Sequence, residues 1–222
     1  MSKIDKLQKI KTLFLPIIVL GLVSCVSLNS HQTGRTVGND NLSIFGNFNF
    51  GYPNSYEHSI IEDSGAFYVA EIGTLYGIKE NLDLGFKINS SFHFTGLSKF
   101  QFIGNKKSLF ASSIGLDIGA DPVGLFFQMK SYSGSLSLFN SFHPTDFLAI
   151  TLAPRYTYLG IANLTDEYDY SRNNNIYGYS AGFIIGKKHQ FSFELSQYVN
   201  NTNFSFDSKP IISLGYIWKF KY

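Results

Sequence analysis

The sequence predicts an all-β protein: an antiparallel up-and-down β-barrel of ten strands, with eight or twelve as alternatives. Apolar and polar residues alternate after residue 40, which is the period of a β-strand. The 22 Phe, 14 Tyr and 20 Gly among 222 residues favour strands and turns over helices. Connectors that alternate between short and long are typical of a barrel with tight turns at one rim and loops at the other.

Residues 82–94 show the alternation most clearly and are predicted to form one strand. Phe86 and Ile88 fall on one face, and Asp83 and Lys87 fall on the other. A period of two does not show which face is inside. A soluble barrel hides its apolar face, whereas a membrane barrel turns that face toward lipid.

The other nine predicted strands are, in chain order, 42–52, 66–77, 98–103, 109–119, a segment within 125–142, 147–159, 177–185, 190–198 and 211–222. The sixth is the least regular, because Tyr132-Ser133-Gly134-Ser135 could form a turn inside it. Short hairpin connectors are predicted at 79–81, 105–107, 144–146 and 187–189. Long polar loops are predicted at 53–64, 160–176 and 200–210.

Composition favours an apolar face that points outward. Charged residues make up 15% of the chain, against roughly a quarter in ordinary domains, which is little for a surface in water. The polar face consists mostly of Gly, Ser, Ala and Thr, and Tyr and Trp lie near strand ends, where the aromatic girdles of membrane barrels belong. The sequence therefore predicts a transmembrane barrel.

Charged residues on the polar strand faces are then predicted to project into the lumen: Glu71, Asp83, Lys87, Lys99, Asp117, Arg155, Glu194 and Lys219. Buried charges need partners, so mixed signs in a narrow barrel favour a compensating network that fills it. The alternative is a constricted pore whose charges select solutes.

The first 24 residues have the order of a secretory signal peptide, with four lysines and one acid before the apolar run 13–23. Leu22-Val23-Ser24-Cys25 then resembles the lipobox of bacterial lipoproteins. The resemblance implies a lipid on Cys25, and Val at position 26 rather than Asp implies the outer membrane. Residues 25–41 are predicted to form a flexible tether before the barrel domain, 42–222. Within this tether, Thr33-Gly34-Arg35-Thr36-Val37-Gly38 is superficially similar to a phosphate-binding loop. Because it lacks the Gly-Lys-Ser/Thr ending of such loops, nucleotide binding is not predicted.

The last strand carries a second resemblance. Ser213, Gly215, Trp218 and Phe220 are spaced as in the terminal signal of bacterial outer-membrane barrels. The resemblance implies recognition by the barrel-assembly machinery, outer-membrane lipid as the surroundings, and a Gram-negative outer membrane as the location.

Several chemical classes are poorly supported. Without the first 24 residues, the 18 basic and 16 acidic residues become 14 and 15, a net charge of −1, which argues against nucleic acid as a partner. The five histidines lack metal-ligand spacing, and no cofactor motif is present. Ser141 and His143 share a strand face, as in outer-membrane lipid hydrolases, but no orienting acid is near in sequence, so no catalytic residue is predicted.

The predicted function is therefore that of an outer-membrane barrel with a structural, interaction or limited small-solute permeation role. A soluble periplasmic lipocalin-like lipoprotein, with the same strands turned inside out around a ligand, is the first alternative. An outer-membrane lipid hydrolase is the second.

Overall fold

A computed structural model describes residues 31–51, 67–121, 129–163, 171–200 and 210–221. In these ranges ten antiparallel strands close into a barrel, in which sequential strands pair and β1 pairs with β10. The strands are β1 (Asn41–Gly51), β2 (Phe67–Lys79), β3 (Leu82–Asn89), β4 (Phe94–Ile103), β5 (Phe110–Ala120), β6 (Met129–Thr145), β7 (Leu148–Asn163), β8 (Ser171–Gly186), β9 (His189–Asn200) and β10 (Ile211–Lys221). The predicted ten-stranded up-and-down barrel is confirmed.

The outer face of the barrel is apolar and the inner face is largely polar. Phe86 is 60% exposed and Leu152 50%, whereas their inward-facing neighbours on the same strands, Lys87 and Arg155, are 6% and 7% exposed. Successive side chains of a strand point to opposite faces, so this division extends along each strand. The predicted outward direction of the apolar face is confirmed, and it is opposite to that of a lipocalin-like barrel.

The prediction of one strand over residues 82–94 is wrong at its C-terminal end. β3 ends at Asn89, whose side-chain oxygen accepts hydrogen bonds from the backbone N–H groups of Ser91 (2.9 Å) and His93 (3.0 Å). Phe92 adopts a positive φ of 59°. This tight turn keeps the two-residue alternation intact, so the pattern of apolar residues does not mark it.

The strands β6, β7 and β8 are longer than predicted. These strands contain 17, 16 and 16 residues, and pairing continues to Ala162 opposite Ser171. The described parts of the predicted loop 160–176 are therefore strand. Tyr132–Ser135, which the sequence left open as a turn, is continuous strand within β6. The start of β8 was not predicted because the strand carries no apolar residue there, its residues being Asn173, Asn174 and Asn175.

The tight connections between β2 and β3, β4 and β5, β6 and β7, and β8 and β9 lie at one end of the barrel, together with the start of β1 and the end of β10. We call this end the short-turn rim. The predicted signal peptide, Cys25, the predicted loop 53–64 and residues 201–209 of the predicted loop 200–210 lie outside the described residues.

Candidate functional site

Residues 31–38, which we call the luminal segment, cross the interior of the barrel before the chain enters β1. The backbone N–H of Gly34 donates to Ser141 Oγ (2.9 Å), and that of Thr36 donates to Gln101 Oε1 (2.9 Å). These partners lie on β6 and β4, which are separated in the barrel wall by β5. The segment therefore occupies the lumen and does not follow one strand.

The sequence predicted a flexible tether at this position, and the described part of it differs from that prediction. Its contacts are made largely by backbone N–H groups to side chains of the wall, which requires no apolar periodicity in the segment itself. Gly34 lies so close to the wall that a Cβ would be 2.9 Å from the carbonyl oxygen of Phe139 and would collide with Ala111. In the sequence, the sign of this packing was therefore a single glycine, Gly34, and not a periodic pattern of residues.

The segment begins at a polar contact with β9. The backbone N–H of His31 donates to Glu194 Oε2 (3.1 Å), and its ring Nδ1 lies 2.8 Å from Ser192 Oγ. His31 is 3% exposed. A Cβ on Gly215 would lie 3.0 Å from His31 Nδ1, so the glycine of the predicted assembly signal also makes room for this ring.

Six of the eight charges predicted for the lumen form three ion pairs. Lys87 Nζ lies 3.1 Å from Glu71 Oε1, and Lys99 Nζ lies 3.3 Å from Asp83 Oδ2. The third pair joins Arg155 to Asp117. All six side chains are buried, and in the Glu71 pair the contact is Coulombic because neither carboxylate oxygen is aligned for a hydrogen bond with a described residue.

The Asp83–Lys99 pair also holds the luminal segment. Both carboxylate oxygens of Asp83 accept from the backbone N–H of Val37 (3.1 and 2.9 Å), and Lys99 Nζ donates to the carbonyl oxygen of Arg35 (3.0 Å). Hydrogen bonds to charged groups are stronger than neutral ones. The pair therefore fixes the segment and neutralises its own charge at the same time.

The other two predicted lumen charges lie apart from each other. Glu194 accepts from His31 and from Ser196 Oγ (3.3 Å). Its register partner on β10 is Ser213, and Lys219 lies about 20 Å further along that strand at the usual rise per residue. Lys219 is near the short-turn rim, and within the described ranges it has no carboxylate within 4.0 Å.

Ser141 and His143 do meet, with Oγ and Nε2 2.8 Å apart. Ser141 is 1% exposed, and its hydroxyl also accepts the N–H of Gly34. In the described part of the chain no carboxylate hydrogen-bonds to the His143 ring. The geometry is that of a hydrogen-bonded anchor for the luminal segment, and a substrate would have to displace that segment to reach Ser141.

A small apolar cluster inside the barrel was missed by sequence reasoning. Its buried members project inward from six strands near the short-turn rim, and they are Phe45, Leu75, Leu97, Ala149, Ile184 and Ile217. Val37 of the luminal segment packs against them. Large apolar residues at positions that are otherwise polar were the available signal, because such residues need an apolar partner inside the lumen.

The residues of the predicted assembly signal divide between the two faces of β10. Ser213 is fully buried toward the lumen, whereas Trp218 is 38% exposed on the outside. The rings of Trp218 and Phe220 have centroids 4.0 Å apart, and the ring of His189 stacks on Trp218 at 5.6 Å. These residues form an aromatic group on the outer wall at the short-turn rim.

Within the described ranges, no group of three or more His, Cys, Asp or Glu side chains is placed to hold a metal ion. No helix among the described residues is long and apolar enough to cross a membrane.

No protein-family model matches the sequence, and a comparison with curated proteins finds no match. Among solved structures, the N-terminal β-barrel domain of Pseudomonas aeruginosa OprF is similar with a TM-score of 0.39 and 10% identity, covering 82% of this chain and 99% of that one. Ail, the attachment invasion locus protein of Yersinia pestis, is similar with a TM-score of 0.34 and 10% identity over the same shares. Its structure in a phospholipid bilayer nanodisc gives 0.34 and 9%, covering 79% and 99%. Since these TM-scores are below 0.5, the fold assignment rests on the strand pairing of this chain.

Proposed function

We propose that this protein is an integral β-barrel of a Gram-negative outer membrane, with a filled, non-conducting lumen and a structural or interaction role. The observation that supports it most is the reversal of ordinary burial: apolar residues cover the outside, and ion pairs fill the inside. A surface of this kind is costly in water and suited to hydrocarbon.

Aromatic side chains border the apolar outer face at two levels. Toward the long-loop end, Tyr156 and Tyr177 have ring centroids 5.1 Å apart; at the short-turn rim, His189 and Tyr216 stack at 6.1 Å. Tyr, with an apolar ring and a polar hydroxyl, is typical of a membrane–water interface. Two such levels on one barrel support a bilayer between them.

The height of the apolar face on β8 fits a membrane. Outward positions are occupied from Ile185 to Tyr177 by apolar or aromatic residues, and the outward positions beyond them are Asn175 and Asn173. The apolar part spans roughly 26 Å along the strand, or about 20 Å along the membrane normal at the usual tilt. This is close to the apolar band of about 25 Å in known membrane barrels.

A charge on the outer face tests the membrane environment. Leu152 lies halfway up the apolar face, opposite Ala181, and Leu152→Arg is expected to lower the free energy of unfolding in lipid vesicles by about 2–4 kcal/mol. The matched control is Asn173→Arg, on the same outer face beyond the aromatic level, where the cost is about 0–1 kcal/mol. Equal, small effects of the two substitutions would contradict a membrane barrel, as would complete release of the protein by carbonate extraction.

The filled lumen supports a role other than transport. The luminal segment, three ion pairs and the cluster around Val37 occupy the interior. We expect no stable single-channel conductance from the wild-type protein in planar bilayers. A variant lacking residues 31–38 is expected to conduct, and its heat-modifiable gel migration shows whether it folds. Steady wild-type conductance equal to that of the shortened variant would exclude a filled barrel.

We further propose that Cys25 is lipidated and that the end of β10 directs assembly, as the two sequence resemblances imply. Radiolabelled palmitate should enter the wild-type protein and not Cys25→Ser; an unlabelled wild type would refute the anchor.

The double variant Trp218→Ala with Phe220→Ala should reduce the amount of folded protein in the membrane. Phe191→Ala, an equally outward aromatic outside the signal, should leave it unchanged, and an equal loss would refute a specific signal.

A further inference from the structure

A cavity of about 320 Å³ lies at the short-turn rim, between the luminal segment, the ends of β6, β8 and β10, and the starts of β7 and β9. Its lining includes Arg35, His143, Gln190 and Lys219 in the interior, and rim residues at its mouth. The volume is at the lower end of the range of small-ligand sites. The cavity can therefore admit a compact ligand.

The charges around this cavity are unbalanced. Four cations and one acid line it, and the two cations at the mouth have partners: Lys106 lies 3.1 Å from Glu80, and Lys187 lies 3.8 Å from Asp146. The two interior cations, Arg35 and Lys219, have no carboxylate within 4.0 Å among the described residues. The interior of the cavity thus carries unpaired positive charge.

Arg35 is held in place while part of its guanidinium stays unpaired. One Nη donates to the carbonyl oxygen of Ser108, and Nε is buried with no hydrogen-bond partner among the described residues. Burial lowers the pKa of Arg35 and the nearby carboxylate of Asp146 opposes this, yet an arginine stays charged at neutral pH. A buried donor on a fixed cation requires an acceptor.

We propose that this cavity is an anion site that binds a compact phosphate-bearing ligand between Arg35 and Lys219. Two like charges beside one cavity repel each other in surroundings of low polarity, and a bound anion offsets both. A guanidinium matches the oxygens of phosphate with its planar fork, and an ammonium adds a point charge. The site goes beyond the role proposed above, because it binds a ligand whether or not the barrel conducts.

The short-turn rim also favours the approach of an anion. Lys79, Lys107 and Lys188 are exposed there, in addition to the two cations at the mouth, whereas Glu80, Asp146 and Asp40 are the exposed acids of the same rim in the described chain. An excess of one sign around a cleft raises the local concentration of the opposite ion. The ligand would therefore enter from this end, as a soluble phosphate compound or as the headgroup of an anionic lipid.

Pyrophosphate and inorganic phosphate are suitable first probes, added to the folded full-length protein in a phosphate-free detergent. We expect saturable binding by calorimetry and a higher unfolding temperature with pyrophosphate. Arg35→Gln and Lys219→Met should each weaken binding by about tenfold or more, since each removes one charge-assisted contact. Lys107→Gln, which removes an exposed rim lysine outside the cavity lining, is the matched control and should change binding less than about threefold.

Vesicles distinguish the two sources of phosphate. If the ligand is a lipid headgroup, phosphatidylglycerol in phosphatidylcholine vesicles should raise the stability of the wild type more than that of Lys219→Met, and soluble pyrophosphate should add little. If it is soluble, pyrophosphate should have its effect in pure phosphatidylcholine. Heat-modifiable migration shows that each variant is folded. Absence of saturable binding in both arms, or binding that neither Arg35→Gln nor Lys219→Met weakens, would overturn the proposal.

Discussion

The ion pairs of the barrel wall and the cavity at the short-turn rim differ in how their charges are balanced. In the wall, Glu71, Asp83 and Asp117 each face a cation within ion-pair distance. In the interior of the cavity, Arg35 and Lys219 lack such a partner among the described residues. The described part of the barrel interior therefore contains both compensated and uncompensated charges.

Strand register accounts for one of the three ion pairs. Asp83 is the direct cross-strand partner of Lys99, so the pairing of β3 with β4 brings the charges together. Lys219 is opposite Ser43 on β1, which offers no charge. The paired charges therefore belong to the architecture of the filled barrel, whereas the charges without a described partner are available to a ligand.

Breaking an ion pair of the wall should have the largest effect. Asp83→Asn keeps the shape of the side chain but leaves the Lys99 ammonium buried without its counter-charge, and Asp83 is itself fully buried. We expect a loss of about 3–5 kcal/mol in the free energy of unfolding. Urea unfolding of the barrel in phospholipid vesicles measures it.

The double variant Asp83→Asn with Lys99→Met sharpens this prediction. Replacing both members of a buried pair removes the uncompensated charge, so most of the loss should be recovered. A double variant as unstable as Asp83→Asn alone would mean that the hydrogen bonds to Val37 and Arg35, and not the charge balance, carry the stability.

Filling the space at Gly34 should have the next largest effect, because the luminal segment contacts an ion pair of the wall and also lines the cavity. A Cβ would collide with the backbone of Ala111, and we expect Gly34→Ala to cost about 1–3 kcal/mol. Gly134→Ala is the matched control, since no atom lies within 4 Å of its Cβ position. Replacing a glycine within a strand at such a site should be neutral or stabilising by up to about 1 kcal/mol. Equal effects at both glycines would show that the segment is not packed against the wall.

The strands of the barrel could be predicted from the sequence because they depend on a local period of two. The direction of the faces could be predicted from composition, because charged residues make up only 15% of the chain and the polar face consists mostly of Gly, Ser, Ala and Thr. The turn at Asn89 and the start of β8 could not, because the former preserves that period and the latter carries Asn173–Asn175 where apolar residues were expected. The placement of residues 31–38 inside the barrel was also hidden, since backbone N–H groups make many of its contacts. The choice of charge partners required the strand register, which alternation alone does not give.

Removing the anchor at Ser141 should have a smaller effect than filling Gly34. Ser141→Ala deletes the acceptor of the Gly34 N–H and the partner of the His143 ring. Leaving a buried N–H unpaired costs about 1–3 kcal/mol. We expect the lower half of that range, because the luminal segment has other anchors. Ser113→Ala is the control: Ser113 is equally buried, and its hydroxyl has no hydrogen-bond partner among the described residues. Ser113→Ala should therefore leave the free energy of unfolding nearly unchanged. A decrease equal to that in Ser141→Ala would refute the anchoring role of Ser141.

Removing a charge from the cavity should have the smallest effect, and it should stabilise the barrel, whereas breaking an ion pair of the wall destabilises it. Lys219→Met deletes a cation that repels Arg35 and has no described carboxylate partner, so in anion-free buffer stability should rise by up to about 1 kcal/mol. The same urea titration measures it, and Lys99→Met, at an equally inward but paired position, should be destabilising. A loss of several kcal/mol in Lys219→Met would show that the charges of the cavity are compensated like those of the wall, and the difference between them would disappear.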